Sequence, residues 1–114
     1  MREHIMPQLC RRLLEVGCRL WVASYHVHLI DDRWILSDHL PGVKDMIEYF
    51  PAYTFQEVFM MLPAGCSLVR GELNCGGIAP DITTGGDTPI EALERLLEVF
   101  LDSGYTIKDG RLTK

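Results

Sequence analysis

Two histidines two residues apart, His26 and His28, come nearest to chemistry by type and spacing. On a strand, residues i and i+2 project from one face. With His4 or His39 and one of Asp31, Asp32 or Asp38, the pair could supply three protein ligands to zinc. No H-E-x-x-H or comparable helical motif accompanies them. The plainer reading is two half-exposed imidazoles on the solvated side of a sheet, and neither a metal nor another cofactor is expected. A thiol nucleophile is the second possibility, in which Cys66 or Cys75 meets His26 across a sheet. Neither cysteine opens an evident helix or stands among cations that would favour a thiolate. The cysteines at 10, 18, 66 and 75 leave seven and eight residues inside the two pairs, which matches no zinc-knuckle or C-x-x-C spacing. Buried free thiols are expected. Third, Thr83-Thr84-Gly85-Gly86-Asp87-Thr88 is a glycine loop leading into a helix N-terminus, where anions can bind. It lacks the lysine of a phosphate-binding loop, Pro89 deletes an amide, and Asp87 puts negative charge where a phosphate would sit. No catalytic residue is expected.

Surface recognition is the remaining possibility. Trp21, Tyr25, Trp34, Tyr49, Tyr53, Met60 and Met61 cannot all be central in so small a core, and a contiguous patch of aromatic and Met side chains marks a partner site. Trp21, Tyr25, Trp34, Met60 and Met61 are the candidate binding residues, with another protein or a second copy as partner. Charge narrows the partner further. The net charge is -5, and residues 1 to 33 carry five basic and four acidic groups against six and twelve over residues 34 to 114. Only Arg2, Arg11, Arg12 and Arg19 come near one another in sequence, so no phosphate-tracking stripe exists and nucleic acid is not expected. The apolar runs are too short for a membrane span or a signal segment, and a cytoplasmic protein is expected.

The elements that would position these groups follow from periodicity and caps. The 114 residues, 47% apolar and 24% charged, fit one domain over 1–114 with an ordered core at about 5–106. A chain of this mass buries roughly two-thirds of its surface. Pro7 to Gly17 reads as a short helix with Leu9, Cys10, Leu13 and Val16 on one face and Gly17 as a left-handed cap. Residues 19 to 37 read as an antiparallel hairpin turning at Asp31-Asp32-Arg33. Val43, Met46, Ile47 and Phe50 fit a brief helix stopped by Pro51. Thr54-Phe55-Gln56-Glu57 is a capping box, with Phe55, Val58, Phe59 and Leu62 as the inward stripe. Cys66 to Leu73 favours a strand, Asn74 to Gly77 a turn, and Ile78 to Thr83 the return strand. Thr88-Pro89-Ile90-Glu91 opens the last helix, which Gly104 ends. Its inner face is Ile90, Leu93, Leu96, Leu97, Phe100 and Leu101, and its outer face carries Glu91, Glu94, Arg95, Glu98 and Asp102. The tail at 108–114 is expected to fray. The order is α-β-β-α-β-β-α, an α+β two-layer domain in which about three helices cover one face of an antiparallel sheet of about four strands.

The segment Phe50-Pro51-Ala52-Tyr53-Thr54-Phe55-Gln56-Glu57-Val58-Phe59-Met60-Met61-Leu62-Pro63, then a hairpin, then Asp87-Thr88-Pro89-Ile90-Glu91-Ala92-Leu93 resembles a family of small uncharacterised phage and prophage proteins. Residues 7 to 105 follow that plan. The matching positions are mostly caps, prolines and core residues, so the resemblance implies a fold and brings neither an activity nor catalytic residues. The His-Val-His strand and the Asn74 to Gly77 segment depart from the pattern.

Overall fold

The chain runs α1 (Pro7–Glu15), β1 (Tyr25–Leu29), β2 (Trp34–Ser37), a 3-10 turn (Val43–Asp45), β3 (Met46–Pro51), α2 (Phe55–Phe59), β4 (Cys66–Val69), β5 (Glu72–Cys75), β6 (Ile82–Thr84), α3 (Pro89–Asp102), β7 (Thr106–Lys108) and β8 (Arg111–Thr113). This is the order in a computed structural model that describes residues 3–63, 66–69, 72–75 and 82–114. The fold is α+β with antiparallel strands throughout.

Local chemistry accounts for the helix ends. Gly17 adopts φ 107°, which lets its amide reach the Leu14 carbonyl while Cys18 donates to Leu13. Gly104, at φ 88°, closes α3 the same way, with Tyr105 donating to Phe100. Both are six-to-one, five-to-two closures that satisfy the last helix carbonyls. Apolar contact completes the second, because the Phe100 and Tyr105 rings lie 4.7 Å apart. At α2 both halves of the capping box form: Thr54 Oγ1 accepts from the Glu57 amide at 3.2 Å and the Thr54 amide donates to Glu57 Oε1 at 2.8 Å. At α3 the Thr88 hydroxyl accepts from the Glu91 amide, but the Glu91 carboxylate reaches past it to the Asp87 amide.

The apolar stripes of the helices share one buried cluster and pack on different sheets, α1 against β3 and α3 against β5 and β6. Leu9, Cys10 and Leu13 of α1, Val58 of α2, Ile90, Leu93, Leu96, Leu97 and Phe100 of α3, and Tyr53, Met61 and Leu112 belong to one buried cluster. Among the described residues the strands form three sheets, in orders β2-β1-β3, β4-β5-β6 and β7-β8. This corrects the expected single sheet: the free side of β1 is taken by β3 and that of β5 by β6, so the two hairpins do not join.

Four further expectations are corrected. Residues 46 to 51 are a strand and only 43 to 45 are helical; the Val43-Met46-Ile47-Phe50 spacing coexists with a strand alternation in which Met46, Glu48 and Phe50 are more buried than Ile47 and Tyr49. The first hairpin starts at Tyr25 instead of Arg19. The second starts its return at Glu72, so Asn74 and Cys75 pair within a strand; of the expected return, Ile82 and Thr83 lie in β6, paired with β5, and residues 76 to 81 lie outside the described residues. The tail is the β7-β8 hairpin. Its Leu112 is 1% exposed, the Leu112 amide donates to the Met61 carbonyl at 2.8 Å, and the Ile107 amide donates to Val16 at 3.0 Å.

Candidate functional site

Alternation along the first sheet sorts its side chains. His26 and His28 share a face with Trp34 and Leu36 across one boundary and with Phe50 and Glu48 across the other. Tyr25, Val27, Ile35 and Tyr49 take the opposite face, where the Tyr25 and Tyr49 rings meet edge to face at 5.9 Å. α1 covers part of the histidine face, with the Arg11 guanidinium 5.5 Å from the Phe50 ring centre.

Each histidine is committed to a partner of its own. His26 Nε2 donates to the Ile5 carbonyl at 2.7 Å, tying the N-terminal segment to the sheet. His28 Nε2 donates to Asp32 Oδ1 at 2.6 Å, and its ring stacks on Trp34 with centres 4.5 Å apart and planes 9° apart. His28 Nδ1 faces Glu48 Oε1 at 3.7 Å, too far for a hydrogen bond. Asp32 is held at φ 70° in the hairpin turn, so His28 braces a strained residue. Beside it the Arg33 guanidinium keeps the Asp31 carboxyl below the ordinary carboxylate range. His39 lies exposed 3.5 Å from Asp38. Among the described residues, no three His, Cys, Asp or Glu side chains lie where they could share a metal ion. His4, His26, His28 and His39 are not brought together with the candidate aspartates as a ligand set.

Burial sets the protonation of His26. It holds the imidazole below its ordinary pKa of 6.5, His4 adds to the lowering, and the Ile5 carbonyl opposes both. The unfolded chain therefore takes up this proton near pH 6.5 while the folded chain resists it. Stability attributable to His26 is complete above about pH 6.5 and falls as the pH drops below it, until the folded imidazole also protonates. In urea titrations over a pH series the midpoint of the wild type is expected to fall more steeply below pH 6.5 than that of His26→Gln. Equal slopes would refute this account.

The thiol and anion candidates are resolved differently. Cys66 is disulfide-bonded and is registered opposite Cys75 on the neighbouring strand, which corrects the expectation of four free thiols; the pairing depends on strand register, which residue spacing does not reveal. Cys66 thus offers no thiolate to His26. Cys10 and Cys18 are buried free thiols as expected, and burial pushes the Cys10 thiol up to about 12, where it is inert. In the glycine loop, the Thr84 hydroxyl donates to the Ala92 carbonyl at 2.7 Å, Arg95 donates to the Gly85 carbonyl, and the Glu91 carboxylate takes the Asp87 amide. A carboxylate of the chain already fills the anion's place. A Cβ on Gly86 would stand 2.8 Å from that of Glu91, so the loop is packed shut on the helix.

The five candidate binding residues divide. Trp21 and Met60 are largely exposed, Trp34 is partly exposed and Tyr25 is half-buried. Met61 is corrected: it is 2% exposed, with the Cys18 thiol donating to its sulfur at 3.7 Å, because it follows α2 into the core while Met60 turns outward. Tyr53 is fully buried as well. Sequence reasoning missed Leu36 and Ile47 and left Tyr49 out of the five candidates, though all three are exposed on the outer strands of the first sheet; the available signal was the apolar-on-both-faces composition of Trp34-Ile35-Leu36. An open apolar groove of about 450 Å³ lies elsewhere, lined by Glu3, Phe55, Leu68 and Ile90 among others, and its Thr54 is spent on the helix cap.

The fold and site therefore define a small α+β protein whose first sheet exposes Trp34, Leu36, Ile47 and Tyr49. No family model, curated protein or solved structure matches the chain. No helix among the described residues is long and apolar enough to cross a membrane.

Proposed function

We propose that this chain is a protein-binding module without catalytic activity, working through the sheet of β1, β2 and β3. The observation that carries the reading is the exposure of Trp34 and Leu36 on one face of this small sheet, with Tyr49 exposed on the other and Ile47 on its β3 edge, where aromatic and aliphatic side chains favour recognition over solvation. Trp21 and Met60, exposed, and Tyr25, half-buried, are the further candidate residues. The net charge of -5 suits a basic partner. The resemblance to small phage and prophage proteins supports a host or virion partner, and a cytoplasmic location completes the proposal. Thiol-disulfide balance bears on that location, because a reducing cytoplasm opens most disulfides. In cells quenched with an alkylating reagent before lysis, Cys66 recovered still disulfide-bonded, as the structure has it, would move the protein to an oxidising compartment.

Affinity capture from the native host tests the function. Wild-type bait is expected to retain one basic protein or further copies of itself, and Leu36→Lys to lose it. Repeated capture of nothing by a folded bait that also stays monomeric would overturn the reading. Stoichiometric zinc lost on His26→Ala would replace it with a metal-dependent hydrolase using His26 and His28, and assembly into large particles would replace it with a virion structural component.

A further inference from the structure

We infer that the partner of this surface is a second copy of the chain, paired antiparallel along the outer edge of β2; the inference rests on the binding-module reading and names its partner. β2 is the outermost strand of its sheet, and among the described residues no strand pairs with its far side. Backbone parity decides what that side presents. Leu29 donates to the Arg33 carbonyl at 2.8 Å, so residues 33, 35 and 37 turn their N–H and C=O groups toward β1. By the alternation of an antiparallel ladder, those of Trp34 and Leu36 point outward.

The two edges of the sheet are built differently. β3 has a register shift where it passes His28 and Leu29, carries Glu48 and ends in Pro51, all features that discourage strand pairing. β2 has an unbroken register with β1, and Trp34-Ile35-Leu36-Ser37 contains no charge and no proline. Trp34 and Leu36 are 40% and 49% exposed. Copies of a chain with net charge -5 repel, and this edge keeps charge out of its paired stretch, acid facing acid only beyond its ends, Asp32 against Asp38.

A two-fold axis perpendicular to the sheet at Ile35 satisfies this edge. It sets Trp34 of each copy opposite Leu36 of the other, each pair exchanging both N–H···O bonds, with the indole beside the leucine on the face of His28 and Phe50. Placing the axis at Leu36 instead would set Trp34 against Asp38 and Ile35 against Ser37, apolar against polar. The Ile35 register joins the two three-stranded sheets into one.

Sedimentation of the purified chain alone, at concentrations up to about 0.1 mM, tests the pairing. The wild type is expected at twice the chain mass of 13.0 kDa. Leu36→Pro deletes an outward N–H while keeping the bonds to β1, a change edge strands tolerate, and is expected to weaken the dimer by roughly tenfold or more; Leu36→Lys does the same by charge, and circular dichroism checks both folds. Oxidised Ile35→Cys is expected to cross-link, since directly opposed Cβ atoms lie about 4.5–5.5 Å apart. Ser37→Cys is not, because its two copies lie about 13 Å apart along the strands. A dimer that survives both Leu36 variants, or that Ile35→Cys does not cross-link, overturns pairing along this edge. A monomeric wild type whose capture of a host protein depends on Leu36 overturns self-pairing and leaves the binding-module reading standing; a monomer that captures nothing overturns both.

Discussion

Leu112→Ala is expected to cost about 2–5 kcal/mol of unfolding free energy, the ordinary range for truncating a fully buried leucine. Leu112 is 1% exposed, sits in the main core cluster and hydrogen-bonds through its amide to Met61. The two-residue turn that delivers it, Asp109-Gly110 at φ 54° and 77°, is a hairpin turn type. Against a total stability of roughly 5–15 kcal/mol for a domain, such a loss shifts a urea midpoint plainly. A change within about 0.5 kcal/mol, the usual effect of a surface substitution, would return residues 108 to 114 to the status of a loose tail.

Glu94→Ala is expected to cost about 2–4 kcal/mol. Glu94 is 3% exposed, and its Oε2 accepts from the Met6 amide at 2.8 Å, just ahead of α1. A hydrogen bond to a charged group contributes about 1.5–3 kcal/mol, and the orphaned amide adds a desolvation cost of about 1–3 kcal/mol. Negative charge near a helix N-terminus is favourable besides. Glu94→Gln retains an acceptor, so the same urea titration is expected to show roughly half the loss. Equal losses for the two variants would show that charge, not the acceptor, matters.

Glu94 also marks the boundary of what the sequence discloses. On the α3 repeat it belongs with Glu91, Glu98 and Asp102, yet it is buried and bonded to Met6, far away in the chain. Caps were legible because their chemistry is local: Thr54 with Glu57, Thr88 with Pro89, and Gly17 and Gly104 act within a turn of themselves. The α+β class followed from the same signals. Residues 46 to 51 were not legible as a strand, since Met46, Ile47 and Phe50 satisfy a helical and an extended spacing alike, and pairing with β1 decides between them. Leu112 alone could not announce burial, because one apolar residue in a three-residue strand has no period. Of the candidate site, Trp34 and Met60 could be named from composition, whereas Met61 and Leu36 depended on which way the chain turned after α2 and on which strand of the sheet had no neighbour.

The hydrogen bond from Met6 to Glu94 and the ion pair of Arg12 with Asp102, at 2.8 Å, join partners 88 and 90 residues apart. During vectorial synthesis the leading helix therefore emerges from the ribosome long before the surface that covers it exists. Until α3 follows, α1 has β3 as its main packing partner, so the rate of folding is governed by these long-range closures.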